Sequence, residues 1–274
     1  MKKLYINTGS FDAVFNNLKE SFGGDLSSGA NEYKLAIKSK WAAGSISGVH
    51  FEKDMSYLNF DLTFNQDVIL SVESNPFMPV FFAYCEKGNV LHSFGANGAV
   101  RSLKKQQSGI MSNSSSINSV LYFESHKQIK FSLIGIPTNL DAAENADFAF
   151  QIKKRFTHES GNYLYIGAEN MQIEGKLQEL KTIPQKGTVR YLLMKKILHE
   201  ILELEIAQHS YNYLTPLKPV LDFAVKQLSE MKKLSDINLG HILAPVLFFK
   251  RNMQSRVLKE KYLELKPYNQ KLAS

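Results

Sequence analysis

Eight short segments rich in β-branched and aromatic residues, set apart by Gly, Asn, Ser and Pro, fill the stretch from Tyr33 to Pro137. They are Tyr33–Ile37, Gly44–Phe51, Tyr57–Phe64, Val68–Val72, Val80–Tyr84, Val90–Phe94, Ser119–Phe123 and Ile129–Ile136. Short strands at such spacing predict an antiparallel barrel or sandwich. The alternation is clearest in Tyr57–Phe64, where Leu58, Phe60, Leu62 and Phe64 share one face and Asn59, Asp61 and Thr63 the other. One face is therefore expected to be dry and the other wet. Upstream, Ser10 is placed to cap a short helix, Asp12–Phe22, with Phe11, Val14, Phe15, Leu18 and Phe22 at helical spacing.

Past Pro137 the period changes. Asp141 is placed to cap a helix running to Phe156, Met171–Ile183 predicts a second, and Thr188–His209 a third, entered through Pro184 and Gly187. The third carries one stripe of Val189, Leu193, Ile197, Ile201 and Leu204, and a second of Met194, Leu198, Leu202 and Ile206. Together they exceed the ~100° that a surface helix usually hides. The surplus face calls for a partner. It is either the same helix of a second subunit, with Met194, Leu198 and Leu202 as dimerisation residues, or the rest of the same chain. Another amphipathic helix, Val220–Leu234, is expected after Pro216 and Pro219. The organisation is α+β: a β domain over 1–138, a helical connector over 139–215 and a basic helical segment over 216–274. Ser112–Ser116 reads as a surface loop, and no internal repeat is evident.

Charge separates the last part from the rest. Lys226–Ser274 holds ten Lys and Arg against four Asp and Glu, so nearly all of the net charge of +7 lies there. A basic segment on a neutral body is the footprint of phosphate docking with counterion release; a solvated Lys-rich helix gives the same composition. The length of 274 residues predicts more than one unit, and 44% hydrophobic residues suffice for a sizeable core. The lone Cys85 excludes an intramolecular disulfide and has no neighbouring zinc ligands, which points to a reducing compartment. Met1–Gly9 lacks an apolar leader segment, and no uncharged apolar run approaches the ~18 residues that cross a bilayer. A soluble cytoplasmic protein without a membrane partner is expected.

Catalytic chemistry finds no foothold. His50, His92, His126, His158, His199, His209 and His241 form no His-x-His or His-x-x-x-His pair, so each is expected at the surface or packed, and no metal or cofactor is expected. There is no phosphate-binding glycine loop, no Gly-x-Ser-x-Gly and no cysteine nucleophile signature; Gly23-Gly24 lacks the lysine and further glycines of a nucleotide site. The chain is not expected to be an enzyme. A β domain without catalytic residues encloses a small ligand or presents a docking face. Pro79–Tyr84 and Leu91–Phe94 either line such a cavity or form core, and they name no ligand class.

Several segments resemble the AraC/XylS family of bacterial transcription regulators in its Bacteroidetes form. They are Leu164–Ala168, Ile183-Pro-Gln-Lys-Gly-Thr-Val-Arg-Tyr-Leu-Leu193, Glu203-Leu-Glu-Ile-Ala-Gln-His209, Phe81–Gly88 with His92–Gly95, and Leu228–Leu234. The resemblance implies a cupin-like sensor domain, a helical dimerisation element and two C-terminal helix-turn-helix units that recognise promoter DNA as a dimer. The last part departs from the pattern. Two such units take on the order of a hundred residues, whereas 40 follow Leu234. Pro245 interrupts Leu239–Phe249, and Leu263 stands where the family's closing signature has glycine after the aromatic. A truncated or divergent DNA-binding region is therefore expected.

The leading functional expectation is a DNA-binding regulator with an unidentified small effector, Lys250, Arg251, Arg256, Lys259 and Lys261 contacting phosphates. The alternative is a sensor and dimerisation protein that has lost DNA binding and modulates a full-length relative. A cupin-fold enzyme, the third option, needs a metal or nucleophile cluster that the sequence does not show.

Overall fold

The computed structural model describes the chain except residues 8, 30, 53–54, 75–77, 114–115, 139–145, 157–160 and 215–274, together with the side chains of 146–149 and 211–214. The chain divides into two units, Met1–Leu198 and His199–Ser274. The first is built on two sheets. One has the order β1 (Lys2–Ile6), β6 (Val68–Val72), β11 (Ser119–Phe123), β8 (Asn89–Phe94) and β9 (Arg101–Lys104). The other runs β13 (Asn162–Glu169), β10 (Gln107–Asn113), β7 (Val80–Lys87), β12 (Gln128–Ile136), β5 (Met55–Phe64), β4 (Ala42–Phe51), β3 (Glu32–Lys38) and β2 (Asp25–Gly29). Among the described residues every pairing is antiparallel except β1 with β6. Among the described residues neither sheet closes on itself. The antiparallel β architecture expected from the sequence is present as an open sandwich, within an α+β chain.

Period-two alternation makes the core. Leu35, Ile37, Ile46, Phe60, Leu62, Phe64, Val68, Phe123 and Phe131 are buried together. Phe60 and Phe131, directly opposed across β5 and β12, stack with centroids 4.4 Å apart and planes 2° from parallel. Each such side chain contributes roughly 1.5–3 kcal/mol of burial. Helix α1 (Phe11–Phe22) adds Phe15, Leu18 and Phe22 to this core. Its cap is as expected: the Ser10 hydroxyl accepts from the Ala13 amide at 3.3 Å. A Cβ on Gly48 would lie 2.8 Å from the rings of Phe11 and Phe15, so the helix sits this close only over glycine. Gly23 and Gly24, at φ +72° and +126°, end α1 and turn the chain into β2.

All eight expected strands are present, but five others were not foreseen: β1, β2, β9, β10 and β13. β2 (Asp-Leu-Ser-Ser-Gly) and β10 (Gln-Ser-Gly-Ile-Met-Ser-Asn) have poor strand propensity and are held by their neighbours' ladders. The expected loop Ser112–Ser116 is thereby corrected at its start, since Ser112 and Asn113 are buried in β10. The Ser112 hydroxyl donates to the Phe156 carbonyl, and the Asn113 amide donates to the Ile117 carbonyl at 2.7 Å. β13 lies within the connector, all of whose assigned elements were helices, and joins the large sheet beside β10.

The outer face of the large sheet is only partly wet. Helices α2 (Ala146–Phe156), α3 (Met171–Lys181) and α4 (Gly187–Leu214) follow the expected helical segments. Phe156 meets Phe82 edge-on at 5.7 Å, Tyr191 meets Phe51 at 4.7 Å, and the Tyr84 hydroxyl donates to the Asn170 carbonyl at 3.2 Å. Asn170 also caps α3, accepting from the Gln172 and Ile173 amides.

Along α4, Met194, Ile197 and Leu198 are buried, as are Ile201 and Leu202 further on, whereas Val189 and Leu192 are 56% and 59% exposed. In the second unit, Glu205 is buried with neither carboxylate oxygen hydrogen-bonded, and burial holds its pKa well above the usual range. The helix expected over Val220–Leu234 and the basic segment lie outside the described residues.

Candidate functional site

The interior of the sandwich is nearly full. A cavity of about 40 Å³ lies within it, lined by Val90, His92, Leu103, Leu121, Phe131 and Ile166 among others. About 10–15 Å³ of such space holds one water, so a metabolite has no room there, and apolar walls favour a dry void. Pro79–Tyr84 and Leu91–Phe94 are accordingly packing residues. His92 is 5% exposed, neither ring nitrogen has a hydrogen-bond partner, and its ring stands edge-on to Phe94 at 4.7 Å. Burial lowers its pKa to about 4, so the imidazole is neutral at physiological pH.

The outer face carries the larger space. A cleft of about 560 Å³ opens over β2–β5 and is bounded above by the end of α3 and the start of α4. Strand register builds its floor. Ser27 pairs with Lys34, Lys34 with Ser47, and Ser47 with Asn59, placing four polar side chains in one row across four strands. Adjacent rows add Ser45, and Glu32, Val49 and Tyr57. The helical wall supplies Leu180, Lys181, Arg190 and Met194.

Charge at this wall is arranged by three contacts. Arg190 Nε lies 3.3 Å from Glu32, and its Nη1 donates to the Ile183 carbonyl at 2.9 Å. Lys181 is ion-paired with the buried Glu86 of β7, whose Oε1 has no hydrogen-bond partner. Burial, reinforced by the Glu86 charge and opposed by the Ser132 hydroxyl, holds the Tyr57 phenol well above its ordinary pKa. Asn59 Oδ1 is buried without a partner. Among the described residues Lys34 has no ion-pair partner and is exposed.

Of the residues singled out from the sequence, Met194 is at the cleft wall and is buried with Leu198 and Leu202. Lys250, Arg251, Arg256, Lys259 and Lys261 lie outside the described residues. Among the described residues no group of three or more His, Cys, Asp or Glu is placed to hold a metal. No described helix is long and apolar enough to cross a membrane. The cleft was not foreseen. Its one sequence signal is the polar half of the strand alternation at Ser45, Ser47 and Asn59; the overhanging helix residues are more than a hundred positions away.

No protein-family model matches the chain, and no curated protein matches it in sequence. Similar solved structures include ToxT from Vibrio cholerae, at 10% identity over 52% of this chain and 52% of that one, with a TM-score of 0.34. A cupin_2 domain of an XRE-family transcriptional regulator from Enterobacter cloacae matches at 7% identity over 33% of this chain and 94% of that one, with a TM-score of 0.26. A mutant of Bacillus subtilis oxalate decarboxylase OxdC matches at 11% identity over 52% of this chain and 43% of that one, with a TM-score of 0.29. The chain spans about half the length of the ToxT chain and less of the decarboxylase. The architecture described above rests on the strand pairing itself.

Proposed function

We propose that this chain is a cytoplasmic, DNA-binding transcription regulator of AraC type, acting as a dimer and by binding rather than catalysis. In it a ligand-binding β domain biases a helical connector, and the basic C-terminal segment meets promoter DNA. The observation that carries the reading is the connector. Leu164–Ala168 and Ile183–Leu193, the segments that most resemble the family, are β13 and the entry to α4. β13 is hydrogen-bonded into the large sheet, Asn170 caps α3 directly after it, and α4 continues into the second unit. A change in the sheet therefore has a covalent route of one strand and two helices toward the basic end.

Fluorescence anisotropy of the full chain on the DNA upstream of its own coding sequence tests this. If Lys250, Arg251, Arg256, Lys259 and Lys261 of both protomers each neutralise a phosphate, affinity falls by about 10⁵-fold between about 50 and 200 mM salt, and alanine at these positions flattens that slope. Absent binding, or binding indifferent to salt, contradicts the reading.

A second reading, a sensor and dimerisation protein without DNA binding of its own, is favoured by Pro245 within the segment where a recognition helix is needed. A gel shift of the chain alone and with a full-length relative separates the two. Autonomous sequence-specific binding eliminates the second.

A further inference from the structure

The geometry of the outer cleft points to a binding site for a small polyhydroxylated anion, of the size and chemistry of a sugar acid or a sugar phosphate. The inference rests on the β domain being a ligand-binding module, but not on the chain binding DNA.

Size selects this cleft over the sandwich interior. About 560 Å³ falls within the range of small-molecule sites, whereas the 40 Å³ inside does not. Polarity then selects the ligand class. The floor presents the hydroxyls of Ser45 and Ser47, which make no side-chain hydrogen bond among the described residues, and the side chain of Asn59, whose Oδ1 lacks a partner. Hydroxyls both donate and accept, so a floor of this kind suits a ligand with several hydroxyl groups of its own. Same-face groups lie about 6.7 Å apart along a strand and about 4.8 Å apart across strands, so they reach hydroxyls on different parts of one sugar-sized ligand.

Charge adds the anion. The lining holds Lys34, Lys181 and Arg190 against Glu32. Glu86 neutralises Lys181 from behind, and Glu32 is shared with Arg190, which leaves the exposed Lys34 ammonium without a counter-charge among the described residues. Arg190 spends one nitrogen on Glu32 and another on the Ile183 carbonyl; a guanidinium has five N–H donors, so it retains capacity toward a carboxylate or phosphate. Val49, Leu180, Met194 and the Tyr33 and Tyr57 side chains add apolar surface beside these polar groups, which suits the carbon-bound faces of a sugar. An anion held here sits on the first turns of α4, at Arg190, the helix that runs on into the second unit.

Isothermal titration of the full chain with gluconate, with glucose 6-phosphate and with neutral glucose, at matched ionic strength and without DNA, tests the site. One or both anions are expected to bind, with glucose about tenfold weaker, and the better anion tells a carboxylate from a phosphate ligand. Lys34→Gln, at an exposed position, is expected to bring the anion down to the level of glucose. Ser47→Val, which suits a strand, is expected to weaken all ligands, with thermal unfolding confirming that both variants fold. Absence of binding by either anion at millimolar concentration overturns the proposal, as does binding that both variants leave unchanged, or inorganic phosphate binding as tightly as either sugar anion. Ligand binding without DNA binding leaves this site standing and removes the regulator reading. DNA binding without ligand binding does the reverse.

Discussion

The two faces of the eight-stranded sheet share one period-two pattern and end in different surroundings. The inner face, with Phe60, Leu62, Phe64 and Phe131, is packed with residues of the five-stranded sheet and α1 around a cavity of about 40 Å³. The outer face is covered at one side by Phe156, Tyr191 and α3, and on the other keeps Ser27, Lys34, Ser47 and Asn59 under a cleft of about 560 Å³. Alternation sets the polarity of a face. What covers that face depends on elements distant in sequence, and here the polar face is spanned by helices that bury Ile173, Leu177 and Leu180 beside it and are tied to β7 by the Lys181–Glu86 ion pair.

The largest difference between the faces should come from truncation at each. Phe131→Ala removes the ring stacked on Phe60 and is expected to cost about 3–5 kcal/mol, against about 0.5 kcal/mol or less for Ser47→Val on the outer face, both read by urea unfolding. Comparable losses at the two positions would break the contrast.

Next is the pH dependence of the interior. The His92 pKa is about 4 in the folded chain and about 6.5 unfolded, so between these values the unfolded state binds the extra proton. Stability is then whole above about pH 6.5 and falls by about 3 kcal/mol as the pH drops through 4. His92→Leu should flatten that slope. Glu205 has the opposite sign. Its raised pKa makes its contribution full below the unfolded value and lost as the pH rises, so Glu205→Gln should stabilise the chain at neutral and mildly alkaline pH. Thermal unfolding from pH 4 to 8 checks both.

A smaller effect is expected at the helix anchor. Lys181→Ala leaves Glu86 buried and uncompensated, costing roughly 1–3 kcal/mol, a figure reduced because the lysine side chain is 25% exposed. Lys181→Met combined with Glu86→Leu should recover most of it. No loss in the single variant would mean that the outer helices stand on apolar contacts alone.

The inner face was legible from sequence because its strands carry β-branched and aromatic residues at alternate positions, and because Ser10 is a local cap for α1. β2 and β10 were not, since Ser, Gly and Asn become strands only when paired to β3 and β7. The connector strand β13 was hidden for a related reason: its place beside β10 is a long-range pairing between Asn162–Glu169 and Gln107–Asn113. The cleft was legible in part. Ser45, Ser47 and Asn59 could be assigned to a polar face, but nothing local marks Lys34 among 33 Lys and Arg, or brings Arg190 over Glu32. Met194, Leu198 and Leu202 stood out as an apolar stripe, and their burial within the chain depends on tertiary packing that spacing alone does not contain.

The proposed ligand is held at the outer face and not in the interior. Hydrogen exchange of the full chain, with and without gluconate or glucose 6-phosphate, measures this directly. Protection is predicted along β3, β4 and the first turns of α4, with β8 and β10 unchanged. Protection confined to β8, β9 and β10, around Val90, Leu103 and Ile110, would place the ligand inside the sandwich and contradict the account.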